Sequence, residues 1–194
     1  MTDTEVRIVP VDEAPWADVE RVFGTRGDPS TCWCQFFKLT NEEFKTATRD
    51  VCRDALRDQV ATLDPPPGVV AYRGDEAVGW CAVEPRVNYP RVLTSRVIDG
   101  SEEPLSDAGV WAITCFVVRV GHRRQGIGGN LLAGAVDQAR RHGARVIEGY
   151  PVDTAGEKSP SADLYHGTLT QFLRAGFELV ATPSPHRAVV RLVA

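Results

Sequence analysis

Arg123-Arg124-Gln125-Gly126-Ile127-Gly128-Gly129 is the segment of this 194-residue chain whose residue types and spacing point most directly to a ligand. Arginines supply positive charge. Closely spaced glycines let the backbone adopt positive φ and approach a bound group. A helix starting in such a loop leaves its first N–H groups without intrahelical acceptors, and its dipole favours an anion there. The chemistry is therefore phosphate binding. A Walker loop is excluded because no Gly-Lys-Ser/Thr follows. A dinucleotide fingerprint is excluded because its sixth position is Leu131 and no βαβ unit opens the chain. Six arginines fall between Arg119 and Arg145, with Asp137 the lone acid, so positive charge is concentrated in a chain of net charge -4.

The loop needs a strand before it and a helix after it, and the pattern provides both. Trp111–Arg119 reads as a strand, and a helix to about His142 carries an apolar stripe through Ile127, Leu131, Leu132, Ala135, Val136 and Ala139. Gly143 closes that helix, and Arg145–Tyr150 is the next strand. Upstream, Glu5–Val11 reads as a strand and Pro15–Phe23 as a short helix. A second helix begins at the Thr40 cap and runs to about Leu63, and Gly68–Arg73 with Ala77–Glu84 forms a hairpin. Asn88–Asp107 reads as loop with room for a short element near Val92. Downstream, 151–160 is loop, a helix over 162–175 is capped by Ser161, and strands Phe177–Ala181 and Arg187–Val193 close the chain. The order β-α-α-β-β-β-α-β-α-β-β implies an α/β fold, a mixed sheet flanked by helices, in a single domain spanning 1–194.

Composition is ordinary for a globular chain: 43% hydrophobic and 25% charged. The net charge gives no reason to expect nucleic acid, and no apolar run approaches the roughly 20 residues that span a bilayer. The N-terminus lacks a signal-peptide pattern. Five cysteines, an odd number, suit a reducing cytoplasm better than a disulfide framework. Cys32-x-Cys34 has no matching Cys/His pair at zinc spacing, so no metal is expected. A homodimer is the default assembly.

Arg123 to Gly128 resembles the Arg/Gln-x-x-Gly-x-Gly/Ala loop of the GNAT acetyltransferase superfamily. Ile113–Val118 before it and Leu131-Leu132 after it are similarly placed, and Ala175-Gly176-Phe177 resembles that family's second block. The resemblance covers roughly Trp111 to Val190. It implies a GNAT-like sheet splayed beside Trp111–Arg119, with acetyl-CoA in the gap. The pantetheine would pair with backbone near Val117 and Val118. Gln125, Gly126, Ile127, Gly128 and Gly129 would hold the pyrophosphate with Arg123, helped by His122, Arg124 and Asn130.

Acetyl transfer to an amine requires the ammonium, with a pKa near ~10.4, to lose its proton, and it requires donors for the developing oxyanion. The family's usual acid, a tyrosine four residues before Gly-Phe, falls at Phe172, and its frequent asparagine falls at Tyr165. Tyr165 reads either as the replacement acid or as a packed or CoA-contacting tyrosine; His166 is a lesser catalytic candidate. The common base position is occupied by Ala112 and Thr114, which makes Glu84 the leading base, with Glu148 and Asp153 as rivals. Cys115, between apolar neighbours, reads as packing rather than nucleophile. Trp33, Phe36 and Phe37 read either as an aromatic wall of the acceptor site or as core anchors. Tyr89 and Arg91 read as a lid, and His186 and Arg187 lie near the acceptor side. Three functions compete: acetylation of a small-molecule amine, acetylation of a protein or peptide, and a non-catalytic acyl-CoA sensor.

Overall fold

The computed structural model describes residues 5–154 and 163–194. One seven-stranded sheet organises them, built from β1 (Val6–Pro10), β2 (Gly68–Arg73), β3 (Glu76–Pro85), β4 (Val110–Val118), β5 (Val146–Gly149), β6 (Glu178–Ser184) and β7 (Arg187–Val193). The spatial order is β1-β2-β3-β4-β5-β7-β6. Among the described strands only β4 and β5 pair in parallel, because the connection between them runs through α6 (Ile127–Arg141), a crossover helix of the length parallel strands require.

Each sheet face is covered by its own core. Leu131, Leu132, Ala135 and Ala139 of α6 pack against Val69, Val83, Trp111 and Ile113, as the apolar stripe predicts. The opposite face holds α1 (Trp16–Phe23) through Val19, Val22 and Phe23. It also holds α4 (Arg49–Thr62) through Cys52 and Leu56. Trp33 and Trp80 fill the space between these elements and the sheet.

Two sequence expectations change. The helix expected from Thr40 to Leu63 is two helices, α3 (Asn41–Thr46) and α4. Ala47 is extended, and Thr48 starts α4 by accepting from Val51 N–H, a second cap that ends the first helix. The helix expected over 162–175 is a 3-10 turn at Asp163–His166 followed by α7 (Leu169–Arg174). Gly167 takes φ 75° between them, and Thr168 caps α7. The Ser161 cap lies outside the described residues. The Asn88–Asp107 loop holds the short element near Val92 as α5 (Pro90–Leu93), followed by a 3-10 turn at Arg96–Ile98. The short helix α2 (Pro29–Cys32) precedes Trp33, whose φ of 44° turns the chain sharply toward α3.

Two features of β4 set up the site. Its partner β5 stops at Gly149, opposite Ile113, so the edge from Thr114 to Val118 has no strand beside it on that side. Against β3, Ala82 pairs with Cys115 but Val83 pairs with Ile113, leaving Thr114 as an extra residue. This bulge puts Thr114 and Cys115 on the same face. The Phe172 ring fills the wedge where β4 and β5 part, 6.0 Å from Phe116 and edge-on to Phe177 at 5.0 Å. A Cβ at Gly149 would fall 2.4 Å from Phe172 Cε1. Phe172 is fully buried and cannot move aside. Gly149→Ala therefore costs about 1–3 kcal/mol, readable as a lowered thermal midpoint; an unchanged midpoint would show the wedge to be looser than this.

Candidate active site

The glycine loop is built for an anion. Gly126 sits at the N-cap of α6 with φ 80°, and its C=O accepts from the N–H groups of Gly129 and Asn130. The N–H groups of Ile127 and Gly128, at the first two helical positions, are left without intrahelical acceptors. No heavy atom lies within 4 Å of a Cβ built at Gly121, Gly126 or Gly129, so the backbone is open there. A cleft of about 250 Å³ runs beside the loop, lined by His122, Arg123, Arg124, Gly126, Ile127 and Gly128, with Phe116 and Val118 from β4. Leu164, Tyr165 and Gln171 form its other wall. His122 Nδ1 is buried without a protein partner.

These features fit the phosphates and pantetheine arm of a coenzyme A. Arg123, Arg124 and His122 line the loop end of the cleft beside the N–H groups of Ile127 and Gly128. Arg119 N–H donates to Val78 O at 3.0 Å. By antiparallel alternation Val117 then turns its backbone groups to β3, while Phe116 and Val118 turn theirs to the free edge. This corrects the expectation at Val117, whose backbone is committed to the sheet, and adds Phe116. Gln125, Gly129 and Asn130 lie outside the cleft lining. The Gln125 side chain bonds Arg73 and Gly121 O, and the Gly129 and Asn130 N–H groups serve the helix. Gln171, which donates to Gly128 O at 2.9 Å, was not legible as a site residue because α7 reaches the loop only in three dimensions.

Gly126→Val places a branched side chain at positive φ in the cradle. It is expected to weaken acetyl-CoA binding by about 100-fold or more, at a penalty of about 1–3 kcal/mol for the backbone alone. Calorimetric titration with acetyl-CoA checks this, and an unchanged affinity would place the phosphates elsewhere.

On the opposite face of β4 lies a second pocket of about 380 Å³. Thr114, Cys115 and Val117 form its floor, Cys32 and Cys34 one side, and Phe36, Phe37 and Phe44 another. Tyr165 lines both this pocket and the glycine-loop cleft, so the two meet at its phenol. Burial first, and then the charge of Asp28, raise the Tyr165 pKa above the usual tyrosine value and keep the phenol protonated. His166 also lines the pocket, with Nδ1 3.1 Å from Thr114 O. A carbonyl can only accept, so in the neutral ring Nδ1 carries the hydrogen and Nε2 is the basic nitrogen.

Other candidates are placed differently. Glu84 is 1% exposed, ion-paired with Lys38, bonded by Asn88 Nδ2 at 3.0 Å and approached by Tyr89 Oη at 3.5 Å. Burial raises its pKa against the pull of Lys38. It lines neither pocket, and its carboxylate is engaged by Lys38 and Asn88. Glu148 is equally buried and ion-paired with Arg86 at 2.7 Å. Asp153 donates its N–H to His186 O at 3.1 Å and lines neither pocket.

Trp33 is 1% exposed, stacked 4.7 Å from Phe23 with Nε1 donating to Ser30 O, which corrects its reading as a pocket wall. Tyr89 is fully buried and is no lid. Arg91 lies 4.4 Å over the Phe36 ring and 4.9 Å over Phe44, clamping that wall from behind. Phe36 and Phe37 do line the pocket.

A sheet splayed beside a free strand edge, with a glycine-rich anion cradle at the head of the crossover helix, defines an acyl-CoA-using fold. The chain belongs to the acetyltransferase (GNAT) family, whose model matches residues 33–166. Its fold is shared with a ribosomal-protein-alanine N-acetyltransferase from Brucella melitensis (17% identity, 97% of this chain and 99% of that one, TM-score 0.57). It is shared too with the PaiA N-acetyltransferase of Thermoplasma acidophilum, solved in complex with coenzyme A (10% identity, 98% and 99%, TM-score 0.57). Ard1 from Thermoplasma volcanium is a further structural neighbour (14% identity, 97% of each chain, TM-score 0.52). No curated protein matches the chain in sequence. By family the protein is an acetyltransferase. No helix among the described residues is long and apolar enough to cross a membrane, and no described cluster of His, Cys, Asp or Glu forms a metal site.

Proposed function

We propose that this chain, acting as a single domain, acetylates a primary amine of a small molecule by direct transfer, with His166 as general base and Tyr165 as general acid. The observation that carries the reading is the meeting of two pockets at Tyr165, one suited to coenzyme A and the other walled on several sides by α2, the Phe36–Phe44 segment and the 3-10 turn. When bound, acetyl-CoA supplies an acetyl group already activated as a thioester.

The protein's own residues do the rest. His166 Nε2 takes the ammonium proton, Nδ1 being held by Thr114 O. The N–H groups of Phe116 and Val118 are donors on the free edge of β4, available to an amide or an acyl oxygen. Tyr165 Oη holds a proton for the departing sulfur. Tyr165→Phe is expected to lower kcat by about tenfold or less, since a thiol of pKa near ~8.5 leaves tolerably unaided. The five unpaired cysteines support a reducing, cytoplasmic setting.

A product screen by mass spectrometry, with acetyl-CoA and mixed amines and peptides, tests the acceptor class. Acetylated small amines are expected. Acetylated peptides without small-amine products would reassign the acceptor, and bound acetyl-CoA with no product would favour a sensor.

A further inference from the structure

The acceptor pocket also carries information on what the amine is attached to. We infer that the acceptor is an arylalkylamine, a single ammonium on an aromatic body with no carboxylate; this rests on the small-molecule reading above.

Charge argues for it first. Among the described residues lining the pocket, Asp28 bears the one carboxylate and there is no lysine or arginine. A substrate carboxylate would lose its water without gaining a cation, which is costly in an apolar site. A polyamine would bring several ammonium groups to one carboxylate. A lone ammonium matches Asp28, which shares the pocket lining with Tyr165 and His166. The amine end is thus placed at Asp28, Tyr165 and His166, beside the free edge of β4.

Shape argues for it second. Away from that end the walls are Phe36, Phe37, Phe44, Cys32 and Cys34. Phe36 meets Phe37 edge-on at 5.0 Å and Phe44 edge-on at 5.3 Å. Arg91 is held on the outer side of this cluster by its bond to Thr40 O at 2.8 Å. Aromatic rings and thiols present polarisable apolar surface and little hydrogen bonding, which selects a flat hydrocarbon body. At about 380 Å³ the pocket falls within the usual range of small-molecule sites, roughly 300–1,000 Å³.

The test compares phenethylamine, phenylalanine and putrescine as acceptors with acetyl-CoA, and titrates each calorimetrically into the protein–coenzyme A complex. The expected result is a kcat/KM for phenethylamine at least about 100-fold above the other two, and measurable binding of phenethylamine alone. Phe36→Ser, at a ring already 42% exposed, is expected to raise the phenethylamine KM about tenfold with acetyl-CoA affinity unchanged. Asp28→Asn is expected to raise that KM up to about fivefold with little change in kcat. Equal or better use of phenylalanine or putrescine would overturn the arylalkylamine inference while leaving small-amine acetylation intact. Tight acetyl-CoA binding with neither binding nor acetylation of any of the three amines would overturn the small-molecule reading itself.

Discussion

Replacing His166 with glutamine is expected to lower kcat/KM for amine acetylation by about 10²–10⁴-fold while leaving acetyl-CoA affinity nearly unchanged. The glutamine amide can still donate to Thr114 O, so the contact that orients the side chain is conserved and the basic nitrogen is lost. The effect is large because an alkylammonium is almost fully protonated at neutral pH and cannot attack in that form. Steady-state kinetics alongside a binding titration separates this role from a structural one. Loss of both activity and binding would mark His166 as a residue that holds the 3-10 turn in place. Retained activity would return the base to another group. Glu84→Gln provides the matched control: it is expected to lower stability by removing the ion pair of half-buried Lys38, with kcat altered little in the folded fraction.

Arg86→Met is expected to destabilise the fold by about 3–5 kcal/mol, the usual result of leaving one member of a buried ion pair alone. Arg86 is fully buried at the end of β3, and Glu148 on β5 is 1% exposed. The guanidinium donates to Glu148 at 2.7 Å, to Ser101 Oγ at 3.0 Å, and to the carbonyls of Glu103 and Pro104 at 3.1 and 2.6 Å. Tyr150 adds a bond to the same carboxylate at 2.9 Å. One side chain therefore ties the 86–104 segment to the strand that borders the splayed gap. Urea denaturation gives the loss directly. Arg86→Met with Glu148→Leu removes both charges and is expected to recover part of it. If the single variant is as stable as the parent, the pair does not hold that segment.

Local chemistry was legible in the sequence where the backbone itself imposes the requirement. Gly126 announces the anion cradle because helix initiation at positive φ needs a glycine there. The α6 stripe and the strand at Trp111 follow from periodicity. What was not legible depends on contacts across long separations. Glu84 looked like a base until the chain brought Lys38 to it. Trp33 and Phe36 are nearly adjacent, yet the positive φ at Trp33 and Cys34 sends one ring into the core and the other to the pocket. Gly167 and Thr168 carried the signal for breaking the helix over 162–175, but both residues are compatible with a continuous helix. The position of His166 depends on the bulge at Thr114, which is a property of β3–β4 pairing and leaves no mark on either strand's composition.

Single-turnover intact-mass spectrometry with isotopically labelled acetyl-CoA distinguishes direct transfer of the acetyl group to an amine, where the two pockets meet, from transfer by way of the protein. The expected result is a protein of unchanged mass at every time point, with labelled acetyl-amine appearing in step with free coenzyme A. A protein that gains one labelled acetyl group before the amine does, most tellingly on Cys115 in the pocket floor, would contradict direct transfer.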